Sequence, residues 1–280
     1  MIYIVLPTYN DWRSLNKLLF EINQNFTKKI NILIVDDCST KKNIINFKNF
    51  NNFKSITIIK NKKNLGSQKS IAVGLAFLEK LKKNFYIVVM DSDGEDNPLS
   101  IKKMLILANK NKNYVVVSNR KKRRENLFFK TLYKLHLTIL FIFTGVWLSY
   151  GNFSCFHKKN LTKILKKNYI WLAFSAALQK NAYIIKMNDS KNKRYFDKSK
   201  LSYYDLIEHS FKIFSVFSNR IFFASIIYLI IFYKLSSSII FNYFLIMLIC
   251  FNMITLKFKI NHKVKLFDFL NQVSRINKIK

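Results

Sequence analysis

The chain opens on an apolar run, Ile2-Tyr3-Ile4-Val5-Leu6, and turns polar at once in Pro7-Thr8-Tyr9-Asn10-Asp11. The same change occurs twice more. Asn31-Ile32-Leu33-Ile34-Val35 leads into Asp36-Asp37-Cys38-Ser39-Thr40, and Phe85-Tyr86-Ile87-Val88-Val89-Met90 leads into Asp91-Ser92-Asp93. Short runs rich in β-branched residues, without polar alternation, predict strands buried on both faces, as in a parallel sheet covered by helices. Between them, Ser14 to Gln24 and Ser67 to Lys83 carry apolar residues at helical spacing. Alternating strands and helices predict the α/β class: a doubly wound, mostly parallel sheet with helices on both faces. Ligands of such sheets bind beyond the carboxyl ends of the strands, so all three polar clusters are expected on one edge. Asp and Asn are also ordinary turn residues. Three clusters at carboxyl ends, and none at amino ends, favour a site over three coincidental turns.

The chemistry of that edge follows from its side chains. Asp91 and Asp93, at i and i+2, can share one divalent cation; Mg²⁺ takes oxygen ligands, commonly one or two carboxylates completed by substrate phosphates and water. The expected cargo is a nucleoside diphosphate. The chain has only 5 Gly in 280 residues. It has neither G-x-G-x-x-G nor a Walker sequence, which argues against an ordinary dinucleotide or P-loop site. Phosphate charge is then left to metal and side chains.

In their order along the chain, Pro7-Thr8-Tyr9-Asn10-Asp11, Val35-Asp36-Asp37-Cys38-Ser39-Thr40, Asn64-Leu65-Gly66 and Met90-Asp91-Ser92-Asp93-Gly94-Glu95-Asp96-Asn97-Pro98 resemble the motifs of family 2 glycosyltransferases. Within that group the chain is most similar to the polyprenyl-phosphate glycosyltransferases, relatives of dolichol-phosphate mannose synthase. Arg120-Lys121-Lys122-Arg123-Arg124, Gly151-Asn152-Phe153-Ser154, Arg194-Tyr195-Phe196-Asp197-Lys198-Ser199-Lys200 and Phe214-Ser215-Val216-Phe217-Ser218 carry the narrower likeness, which spans about residues 1 to 256. The resemblance implies a GT-A fold, a nucleoside-diphosphate-sugar donor, a Mg²⁺ or Mn²⁺ cofactor and inverting transfer to a polyprenyl phosphate. It assigns Pro7, Thr8, Tyr9, Asn10, Asp11, Asp36, Asp37 and Asp91 to the donor nucleotide. Asp91 and Asp93 match the metal acids, and Glu95 stands where many relatives carry Gln, another oxygen ligand. Cys38 stands where Gly is commoner, so the turn after the second strand has to tolerate a side chain.

A lipid phosphate is already anionic near neutral pH, so its oxygen can attack without a protein base. Catalysis then consists of placing two anions and stabilising the departing diphosphate. Asp91, Asp93, Arg120 and Arg123 are the expected catalytic groups. Arg120 and Arg123 meet the acceptor phosphate, with Arg194, Ser199 and Lys200 closing from a second basic segment. Arginine suits this because its fork makes paired hydrogen bonds to phosphate oxygens. Four of the chain's 7 Arg fall in these two segments. Lys121, Lys122 and Arg124 read as a solvated or membrane-facing patch. An acceptor hydroxyl on a membrane-linked glycan is the second enzymatic reading. It needs a carboxylate base, with Asp96 nearest. A non-enzymatic basic membrane scaffold is the third.

Ile221 to Tyr233 and Ile239 to Leu256 are almost wholly apolar and, with their flanks, approach the roughly 20 residues of one bilayer span. They predict a transmembrane hairpin; the alternative is a helical pair in a soluble core. Residues 257 to 280 hold seven Lys or Arg against one Asp. Flanking charge therefore predicts a multi-pass protein of the cell membrane with both termini and the catalytic domain cytoplasmic. Leu132 to Tyr150 reads as an amphipathic helix in the interface, or as a third span. Phe211 to Phe217 reads as a further surface contact or a core helix. The expected divisions are a catalytic domain over 1–210, with its interface helix at about 128–150, an anchor over 211–256 and a basic, mobile tail over 257–280.

The formal charge of +33 would ordinarily suggest nucleic acid. The excess is mostly Lys spread among Asn, Ile and Phe, no recognition signature accompanies it, and anionic membrane lipids are a sufficient partner. No nucleic-acid partner is expected; an oligomer is left open. The three cysteines are too few and too far apart for a disulfide framework or a cysteine metal site. The four His show no ligand spacing. Met1 leads directly into the first strand, so no signal peptide is read.

Overall fold

A computed structural model describes residues 1–27, 29–120, 127–165, 169–196, 202–235, 237–261 and 266–280. The expected strands form: β1 (Ile2–Thr8), β2 (Ile30–Asp36) and β4 (Tyr86–Val89), with β3 (Phe53–Asn61), β5 (Tyr114–Arg120), β6 (Tyr150–His157), β7 (Tyr183–Asp189) and β8 (Val273–Lys278). They make one eight-stranded sheet in the order β7-β5-β6-β4-β1-β2-β3-β8. The central four, β4-β1-β2-β3, run parallel, while β6 and β8 run against their neighbours. This is the GT-A type of α/β layer, mostly parallel at its centre.

Burial explains the sequence pattern. All seven residues of β2 are buried, and Ile4, Val5, Leu6, Ile87, Val88 and Val89 are fully inaccessible. Helix α1 (Trp12–Asn25) turns Leu15, Leu18, Leu19 and Ile22 into the core. Helix α2 (Ser67–Glu79) buries Ile71, Val73, Leu75 and Leu78. Further helices are α3 (Ser100–Lys110), α4 (Leu127–Thr144), α5 (Leu161–Leu165), α6 (Tyr169–Leu172), α7 (Phe174–Asn181), α8 (Tyr203–Val216), α9 (Ser218–Leu235), α10 (Ser238–Asn261) and α11 (Leu266–Asn271).

The chain divides into two compact units. The first comprises Met1–Arg123, Tyr150–Ser199 and Val264–Lys280, and contains the whole sheet. The second comprises Arg124–Ser149 and Lys200–Lys263.

The C-terminal segment departs from expectation. The loose basic tail predicted for 257–280 is replaced, within 266–280, by α11 and the edge strand β8. Phe269 is buried and stacks on Trp171 at 4.8 Å, and β8 pairs antiparallel with β3 from Thr57↔Lys278 to Asn61↔Val273. Lysine and arginine on an edge strand are a common guard against edge-to-edge pairing. They make such a strand look like a tail in the sequence.

In the second unit, α9 and α10 are long and apolar enough to cross a membrane by length and composition. Asn252 on α10 donates to Ser225 Oγ on α9 at 2.9 Å. Phe211 and Phe214 of α8 pack on Phe258 and Phe251 of α10, so of the two readings given for this segment the packed helix is the one seen. Helix α4 stops at Thr144. Tyr150 already begins β6.

Candidate active site

Three loops leave the carboxyl ends of the parallel strands β1, β2 and β4, and hydrogen bonds stitch them together. Asp37 N–H donates to Thr8 O at 2.8 Å, and Ser92 Oγ donates to Pro7 O at 2.8 Å. Asn10 takes the left-handed conformation, φ 54°, open at low cost to few residues other than Gly, Asn and Asp. From there its N–H donates to Ser39 Oγ, and its Oδ1 accepts from the N–H groups of Thr40 and Lys41 at 2.9 Å each. Trp12 Nε1 donates to Lys41 O, closing the same junction. The three clusters therefore lie on one rim, as the strand pattern predicted.

Within that rim the residues divide by task. Tyr9 is exposed, Thr8 is buried with its hydroxyl lacking a partner among the described residues, and Asp11 caps α1 by accepting from Ser14 N–H at 3.2 Å. Asp36 is buried and accepts from Ser39 N–H at 2.9 Å. Asp37, expected at the donor nucleotide, is engaged here by the loop that opens α2. Its Oδ1 accepts from Asn61 Nδ2 and Leu65 N–H at 2.8 Å each, and its Oδ2 accepts from Gly66 N–H at 2.7 Å. Hydrogen bonds to a charged acceptor are worth about 1.5–3 kcal/mol each. Asp37 thus holds the Asn64-Leu65-Gly66 loop that opens α2. Asn61, which supports it, was not singled out from the sequence. Cys38 takes the backbone conformation its Gly-like position demands, φ 64°.

The acidic loop after β4 is packed against the arm that follows β7. Arg194 pairs with Asp93 at 3.3 Å and Lys191 with Glu95 at 2.7 Å, while Tyr195 N–H donates to Asp93 O and Asn192 N–H to Glu95 O. Tyr195 Oη donates to Glu21 Oε2 of α1 at 2.5 Å, and the Arg13 guanidinium lies 3.9 Å above the Phe196 ring. Gly94, φ +86°, lies under the Tyr195 ring; a Cβ there would collide with the ring carbons. Burial first, then the neighbouring Asp91 charge, pushes the Asp93 carboxyl up to about 6; the Glu95 charge adds to this, and the Glu95 N–H and Arg194 oppose it.

That uphill ionisation tests whether the residues suit a metal. Negative charge is concentrated on a buried loop, and a hard cation between Asp91 and Asp93 would relieve it. Two carboxylates, with phosphate and water completing the shell, are an ordinary Mg²⁺ or Mn²⁺ donor set. Glu95 does not join them. Among the described residues no group of three or more His, Cys, Asp or Glu is gathered to hold an ion, and Glu95 is turned to Lys191. The third metal ligand read from the sequence is corrected accordingly. Asp96 is buried, with Oδ2 accepting from Asp91 N–H at 3.1 Å.

The basic candidates are only partly placed. Arg120 ends β5, beside Asp189 of β7, with its side chain outside the description; Arg123, Ser199 and Lys200 lie outside the described residues. Arg194 is described, and its Nε is buried with no partner among the described residues.

A GT-A layer with acidic loops gathered at one strand-end rim is an arrangement suited to a glycosyltransferase. The glycosyl transferase family 2 model matches residues 3–181, and the chain belongs to that family. Glucosyl-3-phosphoglycerate synthase from Mycobacterium tuberculosis, solved with Mn²⁺, UDP-glucose and phosphoglyceric acid, is similar at TM-score 0.57 and 14% identity, over 79% of each chain. TarS 1–349 from S. aureus, in complex with UDP-GlcNAc, is similar at TM-score 0.52 and 19% identity, over 78% of this chain and 66% of that one. An uncharacterized protein of Methanocaldococcus jannaschii is 29% identical over 104 residues. That match covers 36% of this chain and 44% of the relative, so the chain spans less than half the length of the curated protein it resembles.

Proposed function

We propose that the protein transfers a sugar from a nucleoside diphosphate to a polyprenyl phosphate, as an inverting glycosyltransferase of a membrane. The observation that carries this reading is the meeting, at one rim, of the β1, β2 and β4 loops with a basic arm laid directly on the acidic loop through Arg194 and Lys191. The same fold crystallised with UDP-sugars in TarS and in the mycobacterial synthase, there with Mn²⁺, supports a nucleotide-sugar donor.

In this reading Asn10, Thr8, Tyr9 and Asp36 form the nucleoside side of the crevice, and Asp37 and Asp11 keep its walls in place. Asp91 and Asp93 would hold Mg²⁺ or Mn²⁺, which supplies charge neutralisation at the departing diphosphate. Arg120, Arg123, Arg194, Ser199 and Lys200 receive the acceptor phosphate. That oxygen needs no proton removed, so the reaction is placement and electrostatics. Asp96 is committed to the Asp91 backbone, which favours an anionic acceptor over a hydroxyl needing a base. The apolar helices α9 and α10 anchor the enzyme where a polyprenyl lipid resides.

The test is incorporation of label. Membranes containing the protein are incubated with labelled nucleotide sugars, polyprenyl phosphate and Mg²⁺ or Mn²⁺. Label should enter the lipid phase, and Asp91→Asn or Asp93→Asn should reduce it by about a hundredfold or more, as loss of an electrostatic stabiliser does. Label appearing only in polymer overturns the lipid acceptor. No metal-dependent transfer from any nucleotide sugar overturns the enzyme.

A further inference from the structure

A continuous line of side-chain amides runs from the start of α7 to the metal carboxylate. Phe174 N–H donates to Gln68 Oε1 at 2.7 Å, Gln68 Nε2 donates to Asn152 Oδ1 at 3.1 Å, and Asn152 Nδ2 donates to Asp91 Oδ1 at 3.0 Å. Three elements contribute: α7, α2 and β6.

The direction of this line is decided at its far end. An isolated Gln or Asn amide can present either its oxygen or its nitrogen, and the surrounding network selects which. A backbone N–H can only donate. Phe174 therefore requires the Gln68 oxygen, which turns the Gln68 NH₂ to Asn152, which in turn obliges Asn152 to offer its NH₂ to Asp91. We propose that Gln68 is a positioning residue: it sets the polarity of the relay, so that Asn152 always presents a donor to Asp91 and holds that carboxylate in one rotation for the cation. This rests on the metal reading of Asp91 and Asp93. Partners one step behind a ligating carboxylate fix its orientation and commonly alter affinity by about 10–100-fold.

Gln68→Glu keeps the shape and breaks the polarity. One oxygen of the introduced carboxylate still accepts from Phe174 N–H, but the other then faces Asn152 Oδ1. If Asn152 flips to satisfy it, an amide oxygen is driven against Asp91. With the introduced carboxylate ionised, either arrangement sets one acceptor against another, a contact that removes a hydrogen bond and adds repulsion. Charge alone predicts the opposite result, because one more carboxylate near a cation site should tighten binding. The sign of the change therefore separates the relay from a general electrostatic effect.

The experiment titrates Mn²⁺ into the full-length protein in detergent, with free Mn²⁺ read by its EPR signal and thermal unfolding followed without metal. Gln68→Glu is expected to weaken Mn²⁺ binding by about tenfold or more, and Gln68→Met, which only cuts the relay, by less. Wild-type Mn²⁺ binding with equal or tighter binding by Gln68→Glu overturns this inference alone. A wild type that binds no Mn²⁺ overturns the metal reading and the inference with it. If Gln68→Glu does not fold, Gln68→Met decides: unchanged affinity overturns the relay.

Discussion

At the scale of single residues, the acidic loop sets two expectations. Asp93 is raised from 3.8 to about 6, so without a cation the fold favours its protonated form. That contribution to stability is full below the unfolded value and is lost as pH rises through about 6. Metal requires the ionised carboxylate, so the increase in thermal midpoint caused by Mn²⁺ should be large at about pH 7.5 and small at about pH 5. Equal shifts at both would remove Asp93 from the metal site. Gly94 tests the packing over the same loop. Gly94→Ala meets both a left-handed φ and the Tyr195 ring, and should cost about 1–3 kcal/mol, seen as a lowered midpoint of thermal unfolding. The motif residues themselves were legible in the sequence, yet their tasks were not. Asp36 and Asp37 are neighbours of one type, but successive residues of an extended segment face opposite ways. Only the position of Leu65 and Gly66 shows that Asp37 is held by their N–H groups.

At the scale of elements, β1, β2, β4, α1 and α2 could be read because local burial writes itself as local pattern. Strand β8 could not. Val273-Ser274-Arg275-Ile276-Asn277-Lys278 has no long apolar run, and its partner β3 lies more than two hundred residues away in sequence. Truncation after Asn271 removes β8, keeps α11 with Phe269 on Trp171, and should leave the β3 edge unpaired. The expected result is a protein that aggregates and unfolds at lower temperature, measured by light scattering during a melt. A truncated chain that melts as the full one does would make β8 dispensable.

At the scale of the whole molecule, connectivity constrains the membrane reading more firmly than charge counting does. Strand β8 follows α10 and belongs to the same sheet as β1 to β7, so both ends of the α9–α10 hairpin lie on one side of any bilayer it crosses. Helix α4 runs between β5 and β6, which are neighbours in that sheet. One 18-residue helix, about 27 Å long, cannot cross a core of roughly 30 Å and return within that connection. That length speaks for the interfacial reading of α4 over the third span considered from hydropathy. In sealed vesicles lacking the native thiols, Ser237→Cys in the α9–α10 turn and Ser274→Cys on β8 should react with an impermeant reagent from opposite faces. Labelling from the same face would show that the hairpin does not span.

What the sequence by itself determined is the class of the fold and the edge on which its three polar clusters meet, because strand burial and strand-end polarity are local properties of short segments. The tertiary structure decided which acids are spent on holding loops, which basic groups lie against the acidic loop, and how Gln68 on α2 and Asn152 on β6 reach Asp91. Those outcomes depend on which distant segments arrive beside one another, and a hydrogen bond between residues 61 or 84 positions apart leaves no periodic trace in the chain.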